Sequence, residues 1–212
     1  MKSLIWIIVI FVLAIGALVV FGGGGSGGNL PIDAVAPTDY VAGNASSSVI
    51  LIEYADFQCP ACRSYYPILM ELKETYRDRV AFVYRHLPLK SIHFNAEPAA
   101  WASEAAGIQG KFWEMHNLLY EKQNEWASAS DLESVFTDYA ILLGLDKEKF
   151  LQDLDSRLVK GIVADNRTSA LKNGLNSTPT FILNGVQIDN PQSVQAFKLL
   201  LDKAIRDSQA SQ

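Results

Sequence analysis

The chemistry of this chain is concentrated in its two cysteines, Cys59 and Cys62, which lie three positions apart. A structural disulfide gains stability by closing a long loop, and a ring of four residues gives little of it. A close pair is more typical of a redox-active dithiol or of part of a metal site, with an inert pair as the remaining alternative. Zinc needs further ligands, and the three histidines have no ligand spacing with the cysteines. We therefore predict a redox pair and no metal site.

The residues around the pair predict a strand that ends at the motif and a helix that begins there. Residues 48–57 are rich in β-branched and aromatic side chains, and apolar residues recur at helical spacing after Pro60. The free amides and the dipole at a helix N-terminus lower the pKa of a thiol. Cys59 is therefore predicted to be the exposed nucleophile. Cys62, one turn further on, is predicted to be the more buried thiol that resolves a mixed disulfide.

The two residues between the cysteines are predicted to tune the redox pair. Pro60 falls at the first helical position, where its missing amide costs little, and it also removes one donor to the thiolate. Ala61 adds neither charge nor a hydrogen bond.

The remaining elements indicate an α/β fold with a helical insertion. Residues 80–89 resemble a second strand, and residues 91–175 contain several helical patterns in succession. Two short strands, 180–183 and 186–188, flank Asn184-Gly185, a strong hairpin signal, and a last helix follows from about residue 193. The order β-α-β, helices, β-β-α predicts a thioredoxin fold with an inserted all-helical domain.

Two stretches carry a resemblance to a known family. The run EYADFQCPAC at residues 53–62 and the run STPTF at residues 177–181 resemble the DsbA-like branch of the thioredoxin superfamily. The resemblance covers about residue 39 to the C-terminus, and the sequence is similar to the membrane-anchored, single-domain members of the family. In the reference oxidase of the family a histidine occupies the position of Ala61. This departure puts a very strong oxidant in doubt.

The resemblance also implies roles for residues outside the cysteine motif. Pro179 is expected to be a cis-proline facing the disulfide, and Thr178 is expected to pair with a substrate strand and to tune the thiolate. Glu53 is expected to be a buried acid that exchanges a proton with Cys62, and alternation along the strand is compatible with this. No cofactor is expected beyond the Cys59–Cys62 disulfide itself.

The N-terminal sequence predicts a membrane anchor. Residues 4–21 form 18 consecutive positions without a charged or strongly polar side chain, and no Lys or Arg lies between Lys2 and Arg63. We expect a signal-anchor helix at 1–21, with a cleaved signal peptide as the alternative. A Gly-rich linker and lead-in at 22–48 and a DsbA-like domain at 49–208 are expected to follow it. The protein would then be a single-pass membrane protein with an extracytoplasmic catalytic domain.

The function predicted from these features is the introduction of disulfides into exported proteins. Its expected partners are unfolded or reduced exported proteins and a membrane redox partner. The net charge is −5, and no clustered basic residues suggest a nucleic-acid surface. One alternative is a membrane-tethered disulfide reductase or isomerase. Another is a non-catalytic module that binds peptide or metal.

Overall fold

The computed structural model describes residues 30–210. The predicted anchor at 1–21 and residues 22–29 of the predicted linker lie outside this range. Among residues 30–210, no helix has both the length and the apolar character needed to cross a membrane.

A five-stranded sheet forms the centre of the fold. In chain order its strands are β1 (Tyr40–Gly43), β2 (Ile50–Ala55), β3 (Ala81–His86), β4 (Thr180–Leu183) and β5 (Val186–Ile188). Their spatial order is β1-β3-β2-β4-β5. β2 and β3 are parallel, whereas the other neighbouring pairs are antiparallel. The turn between β4 and β5 has positive φ at Asn184 and Gly185, as the predicted hairpin requires.

Helices fill the remaining chain in the predicted places. They are α1 (Pro60–Thr75), α2 (Ala96–Ile108), α3 (Phe112–Glu121), α4 (Gln123–Trp126), α5 (Leu132–Leu142), α6 (Lys147–Leu154), α7 (Arg157–Lys172) and α8 (Val194–Ala210). The predicted α/β architecture with a helical insertion after the second strand of the β-α-β unit is confirmed, with α2 to α7 as the insertion.

The two faces of β2 are buried in different cores. Leu51 packs with side chains of α1 and α8. Ile52 and Tyr54 on the other face pack with α7 and with the chain that precedes β1. A third core, within the helical insertion, extends to the cysteine motif. The motif is therefore held between the sheet and the insertion.

The prediction that residues 22–48 are linker and lead-in is wrong for the part that the structure describes. Tyr40–Gly43 form the edge strand β1, in antiparallel register with β3 from Tyr40↔Tyr84 to Gly43↔Ala81. Gly43 has φ +85, and a Cβ there would collide with the Val80 carbonyl oxygen. A strand of four residues without a long apolar run gave little sequence signal.

The chain before β1 is fastened to the sheet by Arg85, which is fully buried. Its guanidinium binds both carboxylate oxygens of Asp39, at 3.0 and 2.7 Å. It also donates to the carbonyls of Pro31 and Ala34 and to the Tyr54 hydroxyl. A buried charge is tolerated only when it is paired in this way. Residues 31–39 are therefore part of the folded domain.

Candidate active site

Cys59 occupies the N-cap position of α1, directly after the turn that follows β2. Its amide donates to the Asp56 carbonyl at 3.1 Å, which closes the turn. The Cys59 side chain makes no capping hydrogen bond, and the backbone amides of Ala61 and Cys62 help to lower the pKa of its thiol. Both cysteines are free thiols in the structure. Cys59 is 7% exposed and Cys62 is fully buried.

The two thiols have opposite electrostatic environments. A hydrogen bond from the Cys62 thiol lowers the pKa of Cys59 to about 5, against the effect of burial and with help from Thr178 and the helix amides. Burial raises the pKa of Cys62 well above its ordinary value, and the hydrogen bond to Cys59 raises it further. At pH 7 a thiol with a pKa of about 5 is about 99% thiolate. The arrangement provides one nucleophilic thiolate and one protonated, protected thiol. The prediction that Cys59 is exposed is wrong in this structure, because the Cys59 residue is only 7% exposed.

The loop before β4 closes the site from the opposite side. The Thr178–Pro179 peptide bond is cis. The Thr178 carbonyl oxygen lies 3.5 Å from the Cys59 sulfur and accepts a hydrogen bond from it when Cys59 is protonated. The Thr178 hydroxyl is buried without a conventional hydrogen-bond partner, and it helps to lower the pKa of Cys59. Asn190 donates to the Pro179 carbonyl at 2.7 Å, which holds the loop in place.

Glu53, which the family resemblance singled out, lies on β2. Its side chain is buried, and its Oε1 atom has no hydrogen-bond partner. Burial raises the pKa of this carboxyl to about 7, although Lys73 acts in the opposite direction. Glu53 also contributes to raising the pKa of Cys62. Such a carboxyl can exchange a proton with a neighbouring thiol near neutral pH.

Lys73 is a site residue that the sequence reasoning missed. It projects from α1 beside a small cavity that Glu53 also lines. Its ammonium group lies 4.0 Å from the centroid of the Trp113 ring. Burial lowers the pKa of Lys73 to about 8, and Glu53 opposes this effect. Lys73 lies four positions after Leu69, on the apolar face of the helix, and this unusual position was the available signal.

The helical insertion supplies polar contacts to the active-site turn. Gln123 on α4 donates to the carbonyls of Phe57 and Cys59, at 2.6 and 3.1 Å. Gln58 donates to the Ala127 carbonyl at 2.8 Å. Gln123 thus binds the backbone of the turn, and Gln58 binds the backbone of the insertion. Together they hold the turn that carries Cys59 against the insertion.

Two buried tyrosines lie beside the inner thiol. The hydroxyls of Tyr84 on β3 and Tyr120 on α3 are 3.0 Å apart. Burial raises the pKa of both well above its ordinary value, and the proximity of Glu53 and Cys62 adds to this effect. Both tyrosines therefore remain neutral at pH 7, whereas Glu53, which also acts on Cys62, has a pKa of about 7.

Comparison with known proteins establishes the family. A family model described as Thioredoxin matches residues 35–203. The chain belongs to the thioredoxin family. Alpha-DsbA1 from Wolbachia pipientis superposes with a TM-score of 0.74 at 19% sequence identity, covering 84% of this chain and 96% of that one. A thioredoxin-like oxidoreductase from Silicibacter pomeroyi superposes with a TM-score of 0.67 at 26% identity, covering 81% and 94%.

Longer proteins also contain a similar sequence. A protein of Salinispora tropica named Na(+)/H(+) antiporter NhaA 3 is 39% identical over 169 residues. The match covers 78% of this chain but 25% of that protein. The chain therefore spans about a quarter of the length of this relative.

The chain shares the thioredoxin fold with these proteins, and its cysteine pair lies where β2 gives way to α1. The geometry and electrostatics of the two cysteines suit thiol–disulfide exchange. Chemistry of this class requires the cysteine pair itself rather than a bound cofactor. Among residues 30–210, no group of three or more His, Cys, Asp or Glu side chains is placed to hold a metal ion.

Proposed function

We propose that this protein oxidises dithiols in reduced, exported polypeptides. The observation that carries the proposal is the lowered pKa of Cys59, about 5, beside a Cys62 thiol whose pKa is raised. A protein that stabilises its own thiolate stabilises its reduced form, and its disulfide is then the stronger oxidant. This favours electron flow from client to protein.

The geometry supports a two-step exchange. A client thiolate attacks the Cys59 sulfur of the Cys59–Cys62 disulfide, and Cys62 leaves with the bonding electron pair. Glu53, neutral below a pKa of about 7, supplies the proton that the buried Cys62 requires. A second client thiolate then attacks the client sulfur of the mixed disulfide. Cys59 leaves as its stabilised thiolate, and the client has lost two electrons and two protons.

Thr178 and Pro179 are proposed to bind the client chain beside Cys59. The Thr178 carbonyl contacts the Cys59 sulfur, while the Pro179 carbonyl is already occupied by Asn190. Pro179 has no amide proton that could compete for a client carbonyl. An extended client segment can therefore pair with the backbone of Thr178 while its cysteine faces Cys59. Pro60 and Ala61 complete the rim of the site without adding charge.

We further propose that the domain works outside the cytoplasm and is tethered through residues 1–21. The apolar run and the absence of cations between Lys2 and Arg63 support this orientation. The similarity to part of proteins named as antiporters is compatible with a domain that works beside a membrane. Because the chain has two cysteines in all, reoxidation requires an external thiol oxidant, which we propose to be a membrane protein.

The proposal is tested with paired cysteine variants and a reduced, unfolded client protein. We expect Cys59→Ser to abolish client oxidation, because the attacked sulfur is missing. Cys62→Ser has no disulfide of its own, so it is given a client that already contains one. We expect the Cys59 thiolate to displace one client thiolate and the adduct to accumulate, because no Cys62 thiol is present to attack it. These adducts are detected by non-reducing electrophoresis and disappear on reduction. If Cys62→Ser captures no client while Cys59→Ser lacks activity, the assigned roles are wrong.

A further inference from the structure

The loop between β3 and α2 reaches back to the active-site turn through His93. The Nδ1 atom of His93 lies 2.8 Å from Oδ2 of Asp56. The Asp56 side chain is fully buried, whereas the His93 ring is 15% exposed. The imidazole therefore covers the carboxylate from the solvent side.

Asp56 connects that contact to both cysteines. Its carbonyl accepts the Cys59 amide at 3.1 Å, and its own amide is directed at the Cys62 thiol. Its Oδ1 atom accepts the Gln58 amide at 2.7 Å. A change in the position of Asp56 is therefore transmitted through main-chain hydrogen bonds to the nucleophile and to the resolving thiol.

Among the hydrogen-bond donors to the Asp56 carboxylate, His93 differs from the others because it donates from its side chain. Within residues 30–210, its donors are the amides of Gln58 and Leu89 and the ring of His93. The two amides belong to the backbone. His93 is thus the donor that can be removed by substitution without changing the main chain.

The other nearby polar groups on this side are engaged elsewhere. Lys90, in the same loop, pairs with Glu97 at 2.8 Å. His86 is 2.8 Å from Glu104, and the Nδ1 atom of His116 is 3.0 Å from the side-chain oxygen of Asn117. None of these contacts reaches Asp56, so His93 is the histidine that serves the active-site turn.

The geometry of the turn matters more in the dithiol than in the disulfide. In the dithiol, the Cys59 thiolate is stabilised by the Cys62 thiol and by the amides of α1, and the turn that Asp56 closes sets their position relative to the Cys59 sulfur. The disulfide carries no thiolate and does not depend on these donors. The contact between His93 and Asp56 therefore bears on the equilibrium between the dithiol and the disulfide.

We propose that His93 is a positioning residue for disulfide exchange: by donating to Asp56, it holds the active-site turn in the geometry that stabilises the Cys59 thiolate. The proposal rests on the proposed function in acting on the same cysteine pair, but it does not depend on the direction of client exchange. His93 would then influence the Cys59 thiolate from outside the cysteine motif.

The test measures the equilibrium constant between the protein and glutathione for the wild type and three variants. His93→Leu removes the donor and is expected to make the disulfide about tenfold less oxidising, equivalent to about 30 mV for two electrons. His93→Asn places an amide donor near the position of Nδ1 and is expected to restore the constant to within about threefold of wild type. Lys90→Gln, in the same loop, is expected to leave it unchanged.

Two results would overturn the proposal: a His93→Leu constant within twofold of wild type, or a His93→Asn constant equal to that of His93→Leu. If His93→Leu does not fold, the His93 ring nitrogen resonances of the wild type are compared between the dithiol and disulfide forms. A redox-dependent shift supports the proposal, and identical spectra contradict it. Client capture by Cys62→Ser is scored separately, so failure here is distinguishable from failure of the proposed function.

Discussion

Replacing the buried carboxyl in Glu53→Gln should change how the stability of the protein depends on pH. The pKa of Glu53 is raised from an ordinary value of 4.5 to about 7 because the side chain is buried. Between these two values the folded protein keeps a proton that the unfolded chain releases. The free energy of unfolding therefore falls as pH rises through this window.

The magnitude follows from the size of that window. At about 1.4 kcal/mol for each pH unit, the raised pKa corresponds to about 3 kcal/mol lost between pH 4.5 and pH 7. Glutamine cannot ionise, so Glu53→Gln should escape this loss. Part of the gain is offset at Lys73. The Glu53 carboxylate keeps the pKa of Lys73 from falling further, and Glu53→Gln removes that carboxylate, so the buried ammonium group becomes less stable. We expect a net gain of about 2 kcal/mol at pH 8 and almost none at pH 4.

Urea unfolding at several pH values measures this difference, with both proteins in the same redox state. Glu71→Gln is the matched control, because Glu71 is exposed on α1 and pairs with Lys198 at the surface. Glu53→Gln should also slow client exchange near neutral pH, because Cys62 loses its proton donor. Equal stability of Glu53→Gln and wild type at pH 8, with normal exchange rates, would refute the assignment of a buried, raised-pKa carboxyl.

Three further substitutions probe other parts of the site and fold. Lys73→Met should raise the pKa of Glu53 above about 7, because the cation that lowers it is removed; carboxyl NMR titration would measure this, and an unchanged value would exclude the interaction. Thr178→Val keeps the carbonyl acceptor but removes the hydroxyl, so the pKa of Cys59 should rise above about 5 when followed by thiolate absorbance; no rise would show that the hydroxyl is irrelevant. Asp39→Ala leaves Arg85 buried without its carboxylate and should cost about 3–5 kcal/mol in urea unfolding, whereas Asp78→Ala at the surface should cost under about 0.5 kcal/mol. Equal effects of these last two would contradict the buried ion pair.

Most of the sheet was predictable because its signals are local. An apolar run marks β2, and Asn184-Gly185 marks the turn between β4 and β5. β1 was missed because its four residues are only partly buried and depend on distant partners. Tyr40, for example, pairs with Tyr84 and stacks on Phe112 at 4.0 Å between ring centroids. Neither contact can be read from the spacing of neighbouring residues.

Some residues of the candidate site could likewise be predicted from the sequence, and others could not. The cysteines, Glu53 and the Thr178–Pro179 step lie in recognisable short motifs. Lys73 and His93 do not, because their contacts with Glu53 and Asp56 join residues 20 and 37 positions apart. The sequence contained these residue types, and the fold determines which of them meet.

The central claim is that the Cys59–Cys62 disulfide is an oxidant because the Cys59 thiolate is stabilised. The most direct test is its equilibrium reduction potential against glutathione at pH 7. Stabilisation of the thiolate predicts a value between about −120 and −200 mV, in the range of proteins that donate disulfides. A value near about −270 mV, typical of thioredoxin, would contradict the account and identify the protein as a reductase.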